Sequence, residues 1–100
     1  MNLFSVATNG RSKVINKASR KLVKAMKKHI KQEALKGRLN SNFNILEADI
    51  YGLAEGMADE VYEKACDMLN KYYKNQVTIE IEMYGCGLSH KRLKAVINKI

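Results

Sequence analysis

The sequence predicts a single α+β domain of three helices with a minimal β element, and three observations carry that reading. Two long stretches, about residues 12–36 and 44–73, repeat apolar side chains at helical spacing. A shorter stretch, about 77–84, alternates apolar and polar residues as a half-buried strand does. The chain of 100 residues also contains no proline and only 6 glycines, a shortage of turn formers that favours long helices over a turn-rich β fold. Its length suits one core and is too short for two. Apolar residues at 46% and charged ones at 28% are ordinary for a globular chain and argue against wholesale disorder.

Residues 2–8, NLFSVAT, place Leu3, Phe4 and Val6 before the turn-forming pair Asn9-Gly10 and are expected to form a short strand, a free N-terminal arm being the alternative. Ser12 then fits as the N-cap of the first helix, its hydroxyl accepting a bond from a first-turn amide. Gly37 fits the other end, where a residue able to take positive φ closes a helix. Read at about 100° per residue, Val14, Ile15, Ala18, Leu22, Val23, Ala25, Met26 and Ile30 fill one side of this helix. Lys13, Lys17, Arg20, Lys21, Lys24, Lys27, Lys28 and Lys31 fall within a sector of roughly 120° on the other.

Residues 38–43 connect to a second helix, for which Asn44 and Glu47 make a capping box. Leu46, Ile50, Leu53, Met57, Val61, Ala65, Leu69 and Tyr72 give it a wide apolar face, so it is expected at the centre of the core as the most buried helix. Its polar side is acidic, with Asp59, Glu63 and Asp67 prominent. Gly52 and Gly56 project to that side too. Each weakens a helix interior by about 1 kcal/mol relative to alanine, so they mark a bend, a break or a close backbone approach.

In the strand, Val77, Ile79, Ile81 and Met83 point one way and Thr78, Glu80 and Glu82 the other. A lone strand cannot satisfy its own backbone groups. It is expected to pair with residues 2–8 or with a strand of another protomer. Gly85-Cys86-Gly87 reads as a turn, and Ser89 as the cap of a last helix, about 89–100, with Leu93, Val96, Ile97 and Ile100 inward. Residues 87–97, GLSHKRLKAVI, resemble the turn and second helix of a helix-turn-helix. That motif requires a helix before the turn, where this chain reads as strand, so no family follows from the resemblance.

Charge is distributed by segment. Residues 1–40 carry a net +10, residues 41–70 a net −6 and residues 71–100 a net +4, for a total of +8 and an isoelectric point near 9.6. Burying both apolar helix faces in one core turns the basic and the acidic face outward and apart. Eight cations on one helix face call for an anionic partner. DNA or RNA phosphates fit, through counterion release. Because the stripe is nearly all lysine, which lacks the bidentate fork that reads guanine, contact without sequence preference is expected.

A rival expectation is a structural, assembly or inhibitory protein, phage-type in size and style, whose partner is an acidic protein surface or a second copy of the chain. Val77, Ile79 and Ile81 on an exposed strand edge, with Asp59, Glu63 and Asp67 on the acidic helix, would form that interface. No enzymatic activity, cofactor or metal is expected. Cys66, Cys86, His29 and His90 lack zinc-site spacing, Cys86 with His90 is the only nominal nucleophile–base pair, and no phosphate-binding loop is present. With no signal-peptide pattern, no long apolar run and only two cysteines, a cytoplasmic protein without membrane association is expected.

Overall fold

A computed structural model describes residues 2–54, 56–84 and 90–99, with His90 described by its backbone alone. The element order is α1 (Leu3–Leu35), β1 (Asn40–Phe43), α2 (Met57–Tyr73), β2 (Val77–Tyr84) and β3 (His90–Ile97). The α+β class stands. Among the described residues, however, there are two helices and three strands, and the three-helix arrangement is corrected at each of its uncertain joints.

Residues 2–8 are helix, not strand. The Asn2 side chain accepts from the amides of Phe4 (2.9 Å) and Ser5 (3.3 Å), starting α1 ten residues before Ser12 and leaving Ser12 on an exposed helical turn. At its other end α1 closes as expected. Gly37 at φ 81° carries the paired bonds Arg38 N–H to Glu33 O (3.0 Å) and Gly37 N–H to Ala34 O (2.9 Å), a Schellman arrangement.

The stretch expected to form one helix from 44 to 73 is helical only from Met57. The Asn44 carboxamide does accept from the Glu47 amide, at 2.8 Å, but the turn it starts lasts a single revolution. Asp49 at φ 57° ends it with a second Schellman pair, Ile50 N–H to Ile45 O and Asp49 N–H to Leu46 O, both 3.1 Å. Gly52 (φ 74°) and Gly56 (φ 81°) then hold the chain in left-handed conformations that a helix interior excludes, so both glycines mark the break.

The last segment is a strand. The inward set is Leu93, Ala95 and Ile97 rather than Leu93, Val96, Ile97 and Ile100, of which Ile100 lies outside the described residues, and over eight residues an apolar pattern of this kind reads either way. Tertiary pairing decides it, because β2 needs a partner for its backbone groups. The helix-turn-helix resemblance is therefore overturned at residues 90–97; its turn, with Gly87 and Ser89, lies outside the described residues.

The sheet runs β1-β3-β2, antiparallel throughout, with β3 central. Val77, Ile79, Leu93, Ala95, Ser41 and Phe43 lie buried on the inner face. The outer face is polar: Glu82 stands opposite Arg92, Glu80 opposite Lys94, and Asn42 flanks Lys94 from β1. Both helices pack on the inner face. Ile15, Ala18, Leu22, Val23, Met26 and Ile30 of α1 meet Val61, Tyr62, Ala65 and Leu69 of α2 in one core. Instead of a dominant second helix, the core draws its buried residues from α1, α2 and the sheet together. The Tyr62 hydroxyl ties it to the loops, donating to Lys91 O (2.8 Å) and accepting from Ile45 N–H (3.1 Å).

No helix among the described residues is long and apolar enough to cross a membrane.

Candidate nucleic-acid interface

Helix α1 is about 50 Å long by its residue count, close to the 54 Å longest dimension of the molecule. Its buried side chains recur every three or four residues and lock one side onto the core. The stripe from Lys13 to Lys31 is thereby carried on the outer side, over about 27 Å. Lys13, Lys17, Arg20, Lys21, Lys24, Lys28 and Lys31 are exposed, and Lys27 is half-buried.

Among the described residues no carboxylate forms an ion pair with this stripe. The ion pairs of the described residues are Arg11–Glu60, His29–Glu33, Arg38–Glu33, Lys91–Asp59 and Arg92–Glu82, and none includes a stripe residue. Lys21 donates to the Asp49 carbonyl at 2.8 Å, and Lys27 lies 3.5 Å from the centroid of the Tyr72 ring. The other six cations make no hydrogen bond or ion pair with any described residue. Among the described residues α1 and α2 share their apolar sides and are joined at the rim by Arg11–Glu60 (3.0 Å) and by the Lys64 ammonium donating to the Asn16 carboxamide, while Asp49 comes to the stripe itself, lining a cleft with Lys17 and Lys21.

The residues expected at a protein interface are dispersed. Asp59 is paired with Lys91 at 2.8 Å, while Glu63 and Asp67 are exposed. Val77 and Ile79 have buried side chains and Ile81 is half-buried, so this segment can offer a partner its backbone rather than its side chains. β2 is an edge strand, but part of its edge is taken. The Asn70 carboxamide reaches from α2 to accept from Ile79 N–H and donate to Ile79 O, both at 3.0 Å, as a neighbouring strand would. The Cys66 thiol also donates to that carbonyl at 3.3 Å, and burial pushes its pKa up.

The fold adds two residues that were not among the sequence candidates. Tyr72 and Tyr73, in the last turn of α2, come to the C-terminal half of the stripe. Their rings stand edge to face at 4.9 Å, and Tyr72 is 60% exposed. A cleft of about 490 Å³ is lined by Lys27, Lys28, Ile30, Lys31 and the two tyrosines. A second, of about 540 Å³, is lined by the same tyrosines with Lys74, Asn75 and Gln76. The local run Lys71-Tyr72-Tyr73-Lys74, aromatic between cations, was the available signal.

Among the described residues no three His, Cys, Asp or Glu side chains gather to hold a metal ion. Cys86 and the side chain of His90 lie outside the described residues. No family model, curated protein or solved structure matches the chain.

Proposed function

We propose that this is a small, non-enzymatic nucleic-acid-binding protein of the cytoplasm that contacts phosphates through the outer side of α1, without sequence preference. The observation that carries the reading is the stripe itself: six exposed cations on one face of α1 that form no hydrogen bond or ion pair with any described residue. Each phosphate contact releases counterions, which favours binding at low salt. Lysine contributes point charge rather than a planar fork, which favours sequence tolerance. A gel-shift titration at low salt with several unrelated oligonucleotides tests it: comparable, salt-sensitive binding is expected, and no shift of any of them would remove the proposal.

A second reading, a protein partner added to the sheet edge, draws on β2 beyond the Asn70 clamp. By the alternation of an antiparallel ladder, the backbone groups of Ile81 and Met83 point away from β3, and Met83 is exposed. That is a short edge of the kind strand addition uses. Solution mass decides whether the partner is a second copy: a monomer at every concentration and salt leaves only a foreign chain.

A further inference from the structure

We propose that Tyr72 and the lysines around it form a stacking site for an unpaired base, so that the ligand class is single-stranded rather than duplex nucleic acid. The inference rests on the phosphate-binding reading of α1 and goes further in naming what is bound.

The argument starts from the ring. Tyrosine on a surface normally lays its apolar body against the protein and exposes its hydroxyl. Tyr72 instead is 60% exposed and stands on a second ring, Tyr73, which is half-buried and anchored, with burial raising the pKa of its hydroxyl. An edge-to-face pair of this kind fixes the outer ring's orientation. The Lys27 ammonium over the Tyr72 ring identifies a π surface that attracts cations and planar groups alike. Lys27, Lys28 and Lys31 line one cleft with the two tyrosines, and Lys74 lines a second cleft that shares them. A base seated on Tyr72 therefore has cations in both adjoining clefts to meet the phosphates that flank it.

This combination is what single strands use: a cationic track for the backbone and an aromatic face for a base, tolerant of sequence because every base has a π face. A duplex has its bases stacked on one another and can use the lysines alone. The flexible Lys27 stem gives up the ring for a phosphate when a base arrives.

Fluorescence anisotropy with a labelled 12-mer single strand and a 12-bp duplex, at equal salt, tests the inference. Wild type is expected to favour the single strand. Tyr72→Leu should lose about 5- to 150-fold on the single strand and little on the duplex, while Tyr72→Phe should keep single-strand affinity. The chain has no tryptophan, so Tyr72→Trp installs one reporter, whose emission should be quenched by the single strand and not by the duplex. Equal affinity for the two ligands with Tyr72→Leu neutral would overturn the stacking site and leave phosphate binding standing. Absence of binding to either ligand would overturn both.

Discussion

Neutralising Lys24, Lys28 and Lys31 together, each to glutamine, separates a defined phosphate track from the diffuse pull of a basic protein. All three are exposed and none has an intramolecular partner among the described residues, so the fold loses no bond. Glutamine has nearly the helix propensity of lysine, so α1 should persist. If the six unpartnered cations of the stripe each neutralise one phosphate of a single strand, the slope of log K against log salt is about −4. Raising salt from 50 to 200 mM then weakens binding by about 300-fold. With three cations removed, the slope falls to about −2, and affinity at 0.1 M drops by about 100-fold. Anisotropy titrations at four salt concentrations measure both quantities. Lys94→Gln is the control, since it removes one charge from the outer face of the sheet, the layer opposite the helices. It should leave the slope within error of wild type. A triple variant with an unchanged slope would refute the track, as would a control that lowers the slope as much per charge as the stripe does.

Tyr62→Phe removes the bonds to Ile45 N–H and Lys91 O, leaving both without that partner in a packed setting, and should cost about 1–3 kcal/mol in urea unfolding. Burial raises the Tyr62 pKa above its ordinary value near 10. Its contribution is therefore complete below pH 10 and is lost as pH rises through the folded-state value, so alkaline titration should unfold wild type at lower pH than Tyr62→Phe relative to their stabilities at pH 7. Ser19 is fully buried in α1, and its hydroxyl has no partner among the described residues; Ser19→Ala should raise stability by about 1 kcal/mol, read as a higher urea midpoint. Lys74, at φ 55° and ψ −121°, occupies the second position of a II′-type turn closed by Gln76 N–H to Tyr73 O (3.0 Å), a position suited to glycine. Lys74→Gly should stabilise by about 1 kcal/mol while weakening single-strand binding.

The parts of the fold that were legible in the sequence are those whose signal is local. The first helix between residues 12 and 36, its inward face apart from the exposed Val14, its Gly37 cap and the β2 alternation up to Ile81 follow from spacing and from single-residue conformational preference, and they are found in the structure; Met83, expected inward, is exposed near the strand's end. The misread parts depended on distant partners. A strand at residues 2–8 fitted its short apolar pattern, but β2 took β3 instead, and an amide cap from Asn2 let α1 run on. The long second helix failed at Asp49, Gly52 and Gly56, three positive-φ residues, of which only the glycines carried a warning in their type.

The candidate site divides in the same way. The stripe could be read from residues 13 to 31 because helical geometry alone brings them to one face. Its lack of ion pairs among the described residues could not, since an exposed lysine and a neutralised one look alike in sequence. That depended on α2 burying Val61, Ala65 and Leu69, which turns Glu63 and Asp67 to solvent away from the stripe. Tyr72 was assigned to the second helix's apolar face, and its spacing with Leu69 and Ala65 supports that assignment. It emerges because α2 ends at Tyr73, one turn past the last fully buried residue, Leu69, where the core no longer covers the helix. Helix length thus sets the ligand class in this reading: one more turn of core above Tyr72 would bury the ring and leave a lysine surface suited only to phosphate.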